Sequence, residues 1–288
     1  MSAQTQQRRK TVLDIAKAKQ GDPLVCLTAY DAPRAALLDP FCDLILVGDS
    51  VGMVVHGLPS TVGVTMEMMI LHGQAVMRGS KQAFIVVDMP FGSYEASPVH
   101  AYENAARIMK ETGCQAVKIE SGEYAGEIIA FLVERGIPVL AHVGLRPQAI
   151  HVDGGFKAKG RTKEEREKVL REAKAASDGG ALAVVVEGVA EDLAREITET
   201  ISIPTIGIGA SAACDGQILV TEDMLGLFDW TPKFVRRYGN VRGEITAAVE
   251  GYAAEVKARS FPGADETYAL KSEKSLKIPR VAGQPGNS

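Results

Sequence analysis

Short runs dense in Val, Ile and Leu recur along the chain, each followed by a longer stretch whose apolar residues fall at helical spacing. The runs occupy 24–30, 44–49, 84–90, 116–120, 138–143, 181–187 and 204–209, with a weaker eighth at 218–220. They are nearly continuous rather than alternating, the pattern of parallel strands covered on both faces. Helix signals fill the gaps. Ser97-Pro98 offers an N-cap with proline at the first helical position, and Gly113 stands where that helix would end. Thr162-Lys163-Glu164-Glu165 reads as a capping box opening a helix that runs to Gly179-Gly180. Leu193, Ile197 and Ile201 recur at four-residue steps over 191–201.

A strand–helix unit of roughly 35 residues, repeated to a total of roughly 250, predicts an α/β chain folded as a single (β/α)8 TIM barrel. A doubly wound open sheet is the alternative. The reading places an N-terminal extension at 1–22, the catalytic barrel at 23–262 and a C-terminal tail at 263–288. The polar composition of 271–288 predicts a mobile tail. Composition then narrows the function. The 288 residues hold 32 Lys+Arg against 36 Asp+Glu, a net charge of −4, without the basic excess of a nucleic-acid binder. No apolar stretch approaches the roughly 20 residues of a membrane helix, and none follows Arg8-Arg9-Lys10 as a signal segment would. The expectation is a cytoplasmic protein with no nucleic-acid or membrane partner. Cys26, Cys42, Cys114 and Cys214 lie far apart with no C-x-x-C pair, which predicts buried thiols rather than a zinc site or disulfides.

Candidate chemistry gathers where the strands end. The second run closes on Asp49-Ser50, the third on Asp88, the fourth on Lys118-Ile119-Glu120 and the sixth on Glu187, while the fifth contains His142. Charged groups are costly in an apolar strand unless paired or metal-bound. At the C-terminal ends of parallel barrel strands they fall where such barrels place active sites. Lys118 and Glu120 are two residues apart and so share one face of a strand. Asp49, Asp88 and Glu120 offer hard oxygen donors with no soft ligand beside them, which suits Mg²⁺. The bland alternative for Lys118 and Glu120 is a structural ion pair.

The chain also resembles the ketopantoate hydroxymethyltransferase family. The resemblance rests on Leu27-Thr-Ala-Tyr-Asp31, Leu46-Val-Gly-Asp-Ser-Val-Gly-Met-Val54, Val86-Val-Asp-Met-Pro-Phe91, Ala116-Val-Lys-Ile-Glu120, Ala141-His-Val-Gly-Leu145, Ile206-Gly-Ile-Gly209, Cys214-Asp-Gly-Gln217 and Asp223-Met-Leu-Gly-Leu-Phe228, in order along the chain. It implies a Mg²⁺-dependent barrel that transfers a hydroxymethyl group from 5,10-methylenetetrahydrofolate to 3-methyl-2-oxobutanoate through an enolate, giving 2-dehydropantoate. This is the first step of pantothenate biosynthesis. By the same resemblance Asp49 and Asp88 sit at the metal with Glu120 in its inner or outer shell. Asp49, Ser50, Asp88, Lys118 and His142 line the oxo-acid site, and Glu187 is the proton acceptor. A homo-oligomer, a decamer by family analogy, is implied as well.

Three positions depart from the family pattern: Ser211 where glycine is expected, Arg146 where threonine is common, and Gly188 where cysteine is frequent. Gly207-Ile-Gly-Ala-Ser-Ala212 satisfies a dinucleotide fingerprint, but in the seventh unit rather than the first. The basic loop 154–161 suggests a lid whose Lys157, Lys159 and Arg161 meet the folate glutamate tail. Two rival readings remain: a Mg²⁺-dependent carbon–carbon lyase of the isocitrate lyase and phosphoenolpyruvate mutase type, and a non-catalytic paralogue that binds an oxo acid.

Overall fold

In the computed structural model, which describes residues 8–268, eight parallel strands close into a barrel in chain order. They are β1 (Leu24–Thr28), β2 (Leu44–Val47), β3 (Phe84–Asp88), β4 (Ala116–Glu120), β5 (Val139–Gly144), β6 (Ala183–Glu187), β7 (Thr205–Ile208) and β8 (Gly216–Leu219). Helices α1 (Val12–Ala16), α2 (Ala32–Leu38), α3 (Val51–Val54), α4 (Met66–Gly79), α5 (Pro98–Thr112), α6 (Ala125–Glu134), α7 (Ile150–Asp153), α8 (Lys163–Asp178), α9 (Glu191–Thr200) and α10 (Thr221–Met224) accompany them. This barrel unit ends at Gly239, where the sequence reading carried the barrel to 262. A second unit begins at Asn240 and carries α11 (Val241–Ala258), whose N-cap Asn240 accepts from the Gly243 amide. The predicted tail lies outside the described residues from 269 onward. Among the described residues no helix is long and apolar enough to cross a membrane.

Strand parity explains why the runs are continuous. Leu44, Leu46, Phe84, Val86, Ala116, Leu140, Ala183, Val185 and Ile206 fill the barrel interior. Their neighbours Ile45, Val47, Ile85, Val87, Val117, Ile119, Val139 and Val184 face the helices. Each such side chain contributes about 1.5–3 kcal/mol by burial. Ile15 and Ala18, from the segment read as an extension, join the interior cluster.

Backbone close approach closes the barrel. Gly216 pairs with Leu24, and a Cβ on it would lie 2.7 Å from the Leu24 Cβ. On the opposite end of the same seam, Thr221 donates its amide to Thr28 Oγ1 (3.1 Å) and its hydroxyl to Thr28 O (2.6 Å). β7 and β8 are joined without a helix, so the dinucleotide-like stretch after β7 lacks the helix N-terminus that would hold a pyrophosphate.

Helix ends follow the sequence with one exception. Ser97 caps α5 and Gly113 ends it at φ 79°. Thr162 caps α8 by accepting from Glu165 N, but the Glu165 carboxylate accepts from Arg161 N (2.9 Å) instead of completing the capping box. All four cysteines are buried thiols.

Acidic residues hold the rim where the strands begin. Asp39, at the C-cap of α2, accepts from Ser80 Oγ (2.5 Å) and from the amides of Lys81, Gln82 and Ala83. Asp43 accepts from Val25 N, and Asp215 from Thr205 N. The second of these explains the aspartate in the Cys214–Gln217 motif as architecture.

Candidate active site

The interior parity of each strand carries on to its last residue. Phe84 and Val86 lead to Asp88, Ala116 to Lys118 and Glu120, Leu140 to His142, and Ala183 and Val185 to Glu187. Asp49 and Ser50 lie just past β2, in the turn that starts α3. The strand register sets Asp88 beside Lys118 and Glu120 beside His142. All are buried except Ser50 and Glu187, which are partly exposed.

These residues form one network. Lys118 Nζ donates to Asp88 Oδ1 at 2.7 Å, and Asp88 Oδ2 accepts from Asp49 N at 2.9 Å. The lysine is therefore paired with the neighbouring strand's aspartate rather than with Glu120, two residues along its own strand. Ser50 Oγ is 2.8 Å from the Tyr30 hydroxyl, which ties it to the end of the Leu27–Asp31 motif rather than to the acids. His142 Nε2 lies 3.4 Å from Glu187 Oε2. Both imidazole nitrogens are buried, and the Leu145 backbone approaches the same ring.

Two residues that carried no charge signal complete the network. Gln148 lies in a 3₁₀ turn, Pro147–Ala149, after β5; its amide nitrogen donates to Asp49 Oδ2 (2.8 Å) and Met89 O (3.0 Å). Its side-chain oxygen accepts from the Tyr94 hydroxyl (2.6 Å), and its backbone N–H donates to Glu120. Nothing short of three-dimensional structure distinguishes this glutamine from other loop glutamines. Its position just after the Ala141–Leu145 motif was the available hint.

Burial, reinforced by the crowding of acids, sets the electrostatics. Burial and the neighbouring Asp88 push the Asp49 carboxyl up to about 6, against the opposing pull of Lys118 and Gln148. Burial, then the charge of Asp49, raises Glu120 well above the carboxylate range. Burial raises Glu187 to about 8, with Lys118 acting against the shift. Burial alone would lower the Lys118 ammonium, but Asp88, Asp49 and Glu120 outweigh it and hold the group charged. A free amine for Schiff-base chemistry is thereby disfavoured. Burial, followed by Lys118, lowers His142 well below its ordinary range and keeps it neutral.

The donor set fits a hard divalent cation. Asp49 and Glu120 repel each other across a buried pocket in which Lys118 is committed to Asp88, and added positive charge would relieve that repulsion. Among the described residues no three acidic, His or Cys groups converge as a ready-made cage. Mg²⁺ is commonly held by one or two carboxylates with water and substrate completing its shell, and two carboxylates, Asp49 and Asp88, meet at the ends of β2 and β3. Asp49 and Asp88 are the direct candidates, and Glu120, tethered by Gln148 N–H, suits an outer position.

The three departures from the family pattern have local explanations. Gly188 sits at φ 57°, where a β-carbon would also press on Leu145 at 3.1 Å. Ser211 donates to Glu191 Oε1 (2.7 Å) and accepts from Ala213 N. Arg146 lies 3.8 Å from the buried Glu172 and lines a cavity of about 230 Å³ with Asp153, Lys159 and Lys168. In the basic loop, Lys159 is held by Asp153 (3.0 Å) and bridges to Val189, leaving Lys157 and Arg161 exposed.

Comparison with known proteins gives the family and the fold. The ketopantoate hydroxymethyltransferase profile matches residues 9–264. A 3-methyl-2-oxobutanoate hydroxymethyltransferase from Hyphomonas neptunium is 71% identical over 275 residues, covering 96% of this chain and all of that protein. Among solved structures, 2,3-dimethylmalate lyase, a member of the PEP mutase/isocitrate lyase superfamily, aligns with a TM-score of 0.58 at 16% identity, covering 90% of this chain and 89% of its own. Phosphonopyruvate hydrolase in complex with oxalate and Mg²⁺ aligns with a TM-score of 0.57 at 14% identity, covering 92% and 93%. The two structural likenesses show a shared fold. The profile and the relative show the family, and with it the enzyme class: the chain belongs to the ketopantoate hydroxymethyltransferases.

Proposed function

We propose that the chain transfers a hydroxymethyl group from 5,10-methylenetetrahydrofolate to 3-methyl-2-oxobutanoate, giving 2-dehydropantoate, with Mg²⁺ as cofactor. The observation that carries this reading is the placement of Glu187, with its pKa raised to about 8, on the same rim as the Asp49–Asp88–Lys118 cluster. Asp49 and Asp88 would hold the ion. When bound, Mg²⁺ supplies Lewis acidity toward the keto and carboxylate oxygens of a 2-oxo acid. Crystallised phosphonopyruvate hydrolase, which shares the fold, carries Mg²⁺ with the small dicarboxylate oxalate and supports this choice.

The chain's own groups divide the remaining work. Lys118 offers a fixed positive charge to the anionic oxo acid. Glu187, once ionised, takes the proton from C3 of the oxo acid, leaving the electron pair that attacks the methylene carbon of the folate. Neutral His142, 3.4 Å away, fills the wall beside that carboxylate. The methylene carbon parts from both folate nitrogens as it gains one bond to C3 and one to the oxygen of a water; of the three protons released, one from C3 and two from the water, one goes to each nitrogen and one to the product hydroxyl.

The first test is exchange of the C3 proton of 3-methyl-2-oxobutanoate in D₂O, followed by NMR. Exchange should require both protein and Mg²⁺ and stop on addition of EDTA. Folded protein giving no exchange under any condition would overturn the reading in favour of a lyase or an inactive paralogue. A second test concerns the loop. Replacing Lys157 and Arg161 by Gln should raise the apparent KM for a folate bearing a glutamate tail about fivefold, as two exposed charge contacts of about 0.5 kcal/mol each would. An unchanged KM would remove the loop from folate binding.

A further inference from the structure

We propose that Gln148 is a positioning residue that sets the affinity of the divalent-cation site. The inference rests on the reading of Asp49 and Asp88 as the residues that hold the ion. Gln148 is 5% exposed, and its hydrogen bonds reach four segments of the catalytic rim. The amide protons go to Asp49 Oδ2 just past β2 and to Met89 O just past β3. The amide oxygen takes the hydroxyl proton of Tyr94, and the backbone N–H meets both oxygens of Glu120 at the end of β4 (3.3 and 3.1 Å). The Tyr94 hydroxyl in turn accepts from Glu120 N at 3.2 Å.

Chemistry fixes the orientation of the amide. Reversing it would set its oxygen against a carboxylate and a carbonyl, both acceptors, and its NH₂ against the Tyr94 hydroxyl, which already accepts from Glu120 N. One rotamer therefore satisfies every partner, and that rotamer holds Asp49 in place. Holding both Asp49 and Glu120 by a neutral group has a second effect. A Lys or Arg in this position would neutralise Asp49 and compete with the ion. A carboxamide supplies the same N–H donors with no charge, leaving the negative charge of Asp49 to the cation. Outer partners of this kind typically alter metal affinity by about 10–100-fold when removed.

Gln148→Met keeps the volume and removes all side-chain hydrogen bonds, while Tyr94→Phe removes only the hydroxyl behind the amide. Mn²⁺ binding to each apo protein, read by electron paramagnetic resonance, and the Mg²⁺ concentration for half-maximal C3 exchange are the measurements. For Gln148→Met both constants should rise about 10–100-fold. Tyr94→Phe should shift them in the same direction by less, and it provides the test should Gln148→Met not fold. A structural role alone would lower the folded fraction or kcat and leave the Mn²⁺ constant of the folded protein unmoved. Wild-type protein that binds no Mn²⁺ would overturn the cation site itself. Wild type that binds, with folded variants binding equally well, would overturn the role of Gln148 and spare the site.

Discussion

Glu187→Gln should slow C3 proton exchange by about 10²–10⁴-fold, the range lost with a general base, while oxo-acid and Mn²⁺ binding persist. The substitution is nearly isosteric, so the wall formed with His142 keeps its shape. What disappears is the lone pair that receives the proton. An ordinary glutamate would be a weak base for a carbon acid, and burial corrects this by lifting the group to about 8. The sign for pH dependence follows. Only the ionised form accepts a proton, so the rate should rise with pH and level off once the carboxyl is fully ionised. A bound cation favours the ionised form. The midpoint should therefore fall between the ordinary glutamate range and about 8. The pH profile of exchange in the wild type and the residual rate of the Gln variant decide the matter. A Gln variant that exchanges at full rate would put the base elsewhere.

The largest stability loss from a single polar substitution is expected at Asp39, at the opposite end of the barrel from the catalytic candidates. Its carboxylate gathers a hydroxyl and three backbone amides from Ser80–Ala83, the segment leading into β3. Arg9 buttresses the same segment through Ser80 and Ala83. Asp39→Ala would strand the Ser80 and Ala83 donors in a buried setting and those of Lys81 and Gln82 in a part-buried one. At about 1–3 kcal/mol for each buried group left unpaired, with partial relief by water, the total should be about 3–5 kcal/mol. In a chain of this size that lowers Tm by on the order of 10 °C. Chemical denaturation of the pure variant would measure it. Asp39→Asn should lose less, because one oxygen remains to accept while the new NH₂ faces donors. A stability within 1 kcal/mol of wild type, roughly the value of one ordinary hydrogen bond, would mean that water replaces the carboxylate there.

Much of this fold was legible because the strands are two-sided. Continuous apolar runs give parallel buried strands, and the same alternation, followed to the strand end, puts Asp88, Lys118, Glu120, His142 and Glu187 on the interior face. What sequence could not supply was pairing across strands. Lys118 and Glu120 look like partners from spacing, yet register sets Lys118 against Asp88. Capping chemistry has a related limit, since Glu165 has two amides within reach and takes that of Arg161. Gln148 and Tyr94 were missed because neither carries charge and neither lies in a periodic element. Their importance comes entirely from long-range contacts, 99 residues apart in the case of Gln148 and Asp49.

The two ends of the barrel differ in their response to pH. At the end where strands begin, hydrogen bonds from Ser80, Ala83, Lys81 and Gln82 outweigh burial and hold Asp39 below its usual range. Its contribution to folding is therefore complete above the usual aspartate range and lost only as pH falls through that lower value. At the other end, without a bound cation, burial raises Glu187 to about 8 and, with Asp88, raises Asp49 to about 6. Falling pH thus titrates these two carboxylates before it loosens the Asp39 tie. Mild acid should therefore silence turnover while the Asp39 tie still holds the start of β3 in place.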